Sequence, residues 1–140
     1  MNNINFGRAL LGGLLAGLVL NIGEYLLNEV VLAKQMEEFF SRFQVPPPGG
    51  GFIALAVIMT FILGIVMVVL YALIRPRVGP GPKAAVIAAV IVWFGVYVYT
   101  GVLNGVLFAI PVNLMIIGMV WGLIEYIVAA IAGAWYYREA

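Results

Sequence analysis

The stretch FIALAVIMTFILGIVMVVLYALI, from Phe52 to Ile74, contains no charged residue. A helix needs about 20 apolar residues to cross the roughly 30 Å hydrocarbon layer of a bilayer. A spanning β-strand would instead be about 10 residues of strict alternation. Phe52–Ile74 therefore reads as a membrane-spanning helix, and three more segments repeat the pattern: about Ala9 to Leu32, Ala84 to Ile110 and about Val112 to Tyr137. Val96-Tyr97-Val98-Tyr99 alternates briefly, but inside a much longer apolar run. Composition agrees, since the 140 residues are 65 % hydrophobic and 9 % charged, with mean hydropathy +1.14. Soluble domains are about half apolar and about a quarter charged, and a small core cannot hide such an excess. A soluble enzyme, a disordered chain and a nucleic-acid-binding protein are all disfavoured. The predicted fold is all-α, a polytopic membrane four-helix bundle forming one transmembrane domain over residues 1–140.

The chain has no Cys and no His, and its acidic residues are six glutamates with no aspartate. Disulfides, thiolate nucleophiles and the usual haem and zinc ligands are thus absent. The net charge of +1 says little, but the placement of the charges says more. With four spans, the two termini and the second loop share one side, which carries Arg8, Arg75, Arg77, Lys83 and Arg138. The other side carries only Lys34 and Arg42. The positive-inside rule then places both termini in the cytoplasm. Arg8 ahead of an apolar run resembles the start of a signal peptide. No Ala-x-Ala-like site follows, however, and the run meets Asn21, Glu24 and Glu29, so it reads as an uncleaved anchor.

The loops differ in kind. Arg75 to Lys83 reads RPRVGPGPK, whose prolines and glycines predict a short irregular turn. Its basic residues Arg75, Arg77 and Lys83 serve as topology markers, or as a site for lipid head groups. The first loop is longer. Leu32, Met36, Phe39, Phe40 and Phe43 recur at helical spacing, while Lys34, Glu38 and Arg42 form i,i+4 pairs. This predicts an amphipathic interfacial helix over about 33–44, between spans 1 and 2. Pro46–Pro48 should end it, and Gly49–Gly51 should form a hinge into span 2. The third loop, around Pro111, is very short and pairs spans 3 and 4.

One face of each span carries the sharper pattern. Gly13, Gly17, Asn21, Glu24 and Asn28 follow one another in span 1 at steps of four or three residues, as do Gly118, Gly122, Glu125, Ala129 and Gly133 in span 4. Such steps share one helix stripe, and small residues there let helices pack closely. Gly13, Gly17, Gly118 and Gly122 are therefore predicted packing positions. Milder stripes are Thr60, Gly64, Met67 and Tyr71 in span 2, and Trp93, Tyr97, Thr100 and Asn104 in span 3. With these stripes inward, the predicted interior holds Asn21, Glu24, Asn28, Thr60, Tyr97, Thr100, Asn104 and Glu125. Aligning Glu24-Tyr25 with Glu125-Tyr126 also matches Gly17 with Gly118 and Val19 with Val120, the form an inverted internal repeat would take. Tyr71, Trp135, Tyr136 and Tyr137 read as a cytoplasmic aromatic belt.

Glu24 and Glu125 lie near the middle of their spans, where an ionised carboxylate costs at least a few kcal/mol. No Lys or Arg lies at that depth, so a protonated or hydrogen-bonded state is expected, with Asn21, Asn28, Asn104 and the tyrosines as available partners. Two readings follow: a proton-carrying pair, or helix fasteners worth roughly a kcal/mol each. Two carboxylates without His are too few to bury a divalent ion, and neither nucleophile nor oxyanion site is evident. No metal, cofactor or enzymatic activity is expected.

In GGLLAGLVLNIGEYLLN (Gly12–Asn28), LYALIRPRVGPGPK (Leu70–Lys83) and WGLIEYIVAAIAGAW (Trp121–Trp135), the chain resembles small four-span bacterial membrane proteins of unknown function. The resemblance implies a bacterial inner membrane. The chain is also similar to small multidrug-resistance-type exporters, which have four helices and a membrane glutamate in the first, here Glu24. It departs from them in its long first loop, second intramembrane glutamate and charged interfacial helix. The leading functional expectation is an accessory or structural subunit of a bacterial membrane assembly, in contact with lipids and with other subunits or further copies of itself. The alternatives are a proton-coupled small-molecule or ion transporter using Glu24 and Glu125, and a lipid- or quinone-binding module.

Overall fold

The computed structural model describes residues 4–137, so Arg138 lies outside the described residues. Within them the chain is all-helical. Helix α1 (Phe6–Val31) is followed by α2 (Ala33–Arg42), α3 (Gly50–Val78), α4 (Pro82–Leu107) and α5 (Val112–Tyr136). All but α2 are long and apolar enough to cross a membrane. The last turn of α1, Leu27–Val31, and the middle of α4, Phe94–Tyr99, are wound as wider π-turns.

Helix ends follow local chemistry. The Asn5 side chain caps α1 by accepting from the Arg8 N–H at 3.1 Å. Pro46 to Pro48 stay outside any helix, and α3 begins at Gly50, within the glycine run expected to be a hinge. The basic turn is shorter than expected from RPRVGPGPK, because α3 runs through Pro76 as far as Val78. Proline lacks one N–H and crowds the carbonyl four residues back. At Pro76 the carbonyl concerned is that of Ala72, and the helix nevertheless continues until the Gly79 N–H closes it on the Arg75 carbonyl at 2.8 Å. Gly79 and Gly81, at φ +90° and +111°, adopt the left-handed backbone that glycine tolerates, and Pro82 then opens α4 at its first position.

Helix α1 packs on α3 and α5, and α4 packs on α5 and α3. The core between them is built largely of alanine, including Ala16, Ala84, Ala88 and Ala129, with Leu20, Met67, Val68 and Tyr126 as its largest fully buried members. It lies toward the end that holds Arg8, Arg75, Arg77 and Lys83, and burial thins toward α2. Tyr71 and Tyr137 belong to this core instead of an outer belt. Their rings meet edge-on at 5.9 Å, and their hydroxyls accept from the N–H groups of Gly81 and Asn5. Of the expected belt, Trp135 is 77 % exposed, and Tyr136 is half-buried with the Arg8 guanidinium over its ring.

The tightest contact is between α1 and α3. A Cβ on Gly64 would lie 2.5 Å from the Gly17 nitrogen and from the Gly13 carbonyl oxygen, and Gly13 and Gly17 themselves abut Ile65 and Phe61. One residue round from Gly13, Gly12 and Ala16 meet Gly133 of α5. Gly118 departs from its expected packing role, since a Cβ there would meet nothing within 4 Å. Gly118 thus differs from Gly17, and Tyr25, 62 % exposed, differs from Tyr126, 1 % exposed. The repeat matches in sequence join positions with unlike surroundings. Gly64→Ala should lower stability by about 1–3 kcal/mol, because backbone cannot yield as a side chain can. Gly95→Ala, which meets open space, should be neutral or slightly stabilising in the same detergent unfolding titration.

Candidate functional site

Beyond Leu20, the inward side of α1 turns polar. Gly23 and Glu24 come up against α4 and α5, and here the two intramembrane glutamates meet different surroundings. The Tyr97 hydroxyl lies 2.8 and 2.7 Å from the two Glu24 carboxyl oxygens and donates to them across the α1–α4 interface. Its ring reaches that far because Gly122 has no side chain: a Cβ there would sit 2.7 Å from the ring. The ring also meets Tyr126 edge-on at 5.4 Å, a favourable arrangement of aromatic quadrupoles.

Glu125 is only 6 % exposed, and neither of its carboxyl oxygens has a hydrogen bond of good geometry, the nearby Trp121 indole being the one donor beside it among the described residues. The carboxyl rests against the bare Cα of Gly23, where a Cβ would overlap it. The Gly23 carbonyl is already taken, because the Trp121 indole donates to it at 3.0 Å. A second indole, Trp93, donates to the Met119 carbonyl at 2.9 Å. These two bonds tie α5 to α1 and α4 to α5 on either side of the glutamates. Gly23, Trp121 and Tyr126 were not among the predicted site residues. Glycine at position 23 was the available signal, being one step off the chosen stripe and next to Glu24.

The predicted polar interior is only partly assembled. Glu24, Glu125 and Tyr97 come together. Asn21 and Asn28 instead donate to carbonyls of their own helix, Gly17 and Glu24, at 3.0 Å, with a longer bond from Asn21 to Val57 of α3. Thr60 likewise bonds the Ala56 carbonyl. Thr100 and Asn104 are exposed, and Thr100 bonds back to Val96. Their displacement comes from the π-turn. A step of four residues overshoots one α-helical turn by about 40°, and the wider turn at Phe94–Tyr99 absorbs that drift. Inward positions therefore run Trp93, Tyr97, Gly101 and Gly105, with Met119 and Met115 of α5 against the two glycines.

Tyr97 also borders a half-open cavity of about 370 Å³ between α2, the second half of α4 and the first half of α5. Met36, Leu114, Met115, Met119 and Gly118 form much of its wall, and Gln35, Glu38 and Arg42 line it from α2. Phe39 and Phe43 pack around Phe108, and Arg42 donates to the Phe108 carbonyl, holding α2 down. At the opposite end, Arg75 and Arg77 lie in the last turn of α3 and Lys83 in the first turn of α4, with the Arg75 guanidinium 5.5 Å from the centre of the Tyr137 ring. No three potential metal-ligating side chains come together among the described residues.

No protein-family model matches the chain, and no curated protein or solved structure is significantly similar to it. The site must be read from its own chemistry. A buried polar group without a partner costs about 1–3 kcal/mol, whereas an apolar group of similar shape costs nothing of the kind. Glu125→Met should therefore raise resistance to unfolding in mixed micelles, and Tyr97→Phe, which strips Glu24 of its donor, should lower it by about 0.5–2 kcal/mol. A drop in stability for Glu125→Met would make Glu125 a structural fastener.

Proposed function

We propose that this chain is a multi-pass membrane protein that couples proton binding at Glu24 and Glu125 to the movement of a small molecule. The four long helices cross the bilayer as an antiparallel bundle. Both termini lie on the side of Arg8, Arg75, Arg77 and Lys83, which the positive-inside rule makes cytoplasmic; the resemblance noted above favours a bacterial inner membrane. Helix α2 lies at the opposite interface. Support comes from its two sides, since Lys34, Glu37 and Ser41 are exposed while Met36, Phe39 and Phe40 are half-buried.

The observation that carries the reading is the unpartnered Glu125 carboxyl. A fastener is kept for the hydrogen bond it makes, and the one donor beside Glu125, the Trp121 indole, makes its well-formed bond to the Gly23 carbonyl instead. Two adjacent carboxyls with no base at their depth cannot both ionise at reasonable cost, so the pair holds at least one proton. Tyr97 then connects that proton store to the cavity under α2. The accessory-subunit reading called for glycine faces free to meet other chains, but Gly12, Gly13, Gly17, Gly64 and Gly133 are spent on contacts within this one. The outward faces are instead Leu, Ile, Val and Phe, suited to lipid.

In liposomes holding an imposed pH gradient, the native chain should accumulate a substrate from a panel of small apolar solutes, and Glu24→Gln and Glu125→Gln should each abolish uptake. Infrared spectra should contain a protonated carboxyl band that disappears in Glu125→Gln. Uptake surviving both substitutions would overturn the reading. A stoichiometric membrane partner on native gels, with no uptake, would return the subunit role to first place.

A further inference from the structure

We infer that the cavity beneath α2 is a binding site for an uncharged, planar-ring molecule carrying a hydrogen-bonding group, and that Tyr97 links its occupancy to Glu24. Binding stands on the cavity alone, whereas the link to Glu24 rests on the proton-carrying role proposed above.

At about 370 Å³ the cavity falls within the range of small-molecule sites, roughly 300–1,000 Å³. Gly101 on α4 and Gly118 on α5 both line it, and a Cβ added to Gly118 would meet open space. Bare backbone at Gly118 leaves room in the α5 wall suited to a flat ring, while at Gly101 the flexible Met119 side chain lies against the α4 wall. Met36, Met115 and Met119 supply flexible thioethers, which adapt to irregular shapes and make favourable contacts with aromatic rings. Phe39 and Tyr97 add aromatic surface.

The charge of the occupant follows from which groups reach the cavity. Its polar lining, apart from Tyr97, comes from α2: Gln35, Glu38 and Arg42. Glu38 and Arg42 offset each other, so this rim suits a neutral hydrogen-bonding group better than a net charge. Neither intramembrane glutamate lines the cavity. The Glu125 oxygens are sealed, and the Tyr97 hydroxyl is bonded to both oxygens of Glu24. A cation would therefore find no acid to meet it at depth, and desolvating it would go uncompensated. Tyr97 has its ring at the cavity and its hydroxyl on Glu24, so an occupant that moves the ring alters the tyrosine's bond to that carboxyl.

The test uses the full chain in lipid nanodiscs with ¹³C-methyl methionine, titrated with p-cresol, a neutral ring, and with 1-heptanol, a chain of similar size. p-Cresol should shift the Met36, Met115 and Met119 methyls saturably. Buried Met67 should stay fixed, and exposed Met59 should drift without saturation as probe dissolves in the bilayer. Gly118→Leu, which grows into the cavity, should abolish the saturable shifts, and Gly118→Ala should weaken them. Tyr97→Phe should still bind p-cresol, but binding should no longer perturb the Glu24 carboxyl band in infrared difference spectra. Absent shifts in the native chain, or shifts that survive Gly118→Leu, would overturn the site. Equal affinity for heptanol would overturn the ring class in favour of a lipid-chain pocket. Methyl shifts that persist while proton-driven uptake fails would overturn only the proton-carrying role and, with it, the link to Glu24.

Discussion

Gly64 carries only hydrogen on its Cα, and the backbone of α1 at Gly13 and Gly17 fills the space a side chain would need. Much else depends on that approach. In lipid, helices gain little from burying apolar surface, because the tails outside are as apolar as the core, so association relies on close packing and interhelical hydrogen bonds. Glycines on α1 supply the first at two angles, toward α3 through Gly13 and Gly17 and toward α5 through Gly12. With α1 held against both neighbours, Gly23 is set against Glu125, and Glu24 comes within reach of Tyr97.

Hydrogen bonding follows where packing has brought the helices together, and it is distributed unevenly. The indoles of Trp93 and Trp121 bond carbonyls on neighbouring helices, which fixes α5 between α4 and α1. Tyr97 serves Glu24, and the asparagines mostly serve their own backbone. Glu125 is left over, in a bundle whose other buried polar side-chain atoms are satisfied among the described residues. A methionine or leucine would fit a purely structural purpose at lower cost, which is why the acid is better understood through protonation than through packing.

Much of this was legible in the sequence, and the part that was not has a common cause. The four apolar runs, the helix after Leu32 and the placing of Glu24 and Glu125 in helix contacts follow from length, periodicity and charge placement alone. The inward residues of the third span did not. The spacing of Trp93, Tyr97, Thr100 and Asn104 assumes a uniform 3.6-residue turn, and the π-turn at Phe94–Tyr99 breaks that assumption, so Gly101 and Gly105 face inward instead. Likewise, Asn21 and Glu24 share a stripe on α1, yet Asn21 reaches toward α3 and Glu24 toward α4. A stripe says which residues share a direction, not which neighbour stands there at each depth. The basic turn failed for a smaller reason: proline removes one hydrogen bond and crowds one carbonyl without always ending a helix, and α3 runs two residues past Pro76.

The π-turn also ties the two halves of the site together. Without the extra width at Phe94–Tyr99, the drift of a regular helix would carry Gly101 and Gly105 away from α5 once Trp93 and Tyr97 faced inward. Larger side chains would then face Met115 and Met119, where the cavity now opens. π-Turns interrupt good α-helical bonding and persist mostly where a local function repays them. Here the interruption lets one face of α4 serve two ends: Tyr97 bonds the glutamate on α1, and Gly101 and Gly105 beyond it receive Met119 and Met115, which line the space under α2. The residue that completes the acid site is thereby also a wall of the cavity, its hydroxyl on Glu24 and its ring at the lining.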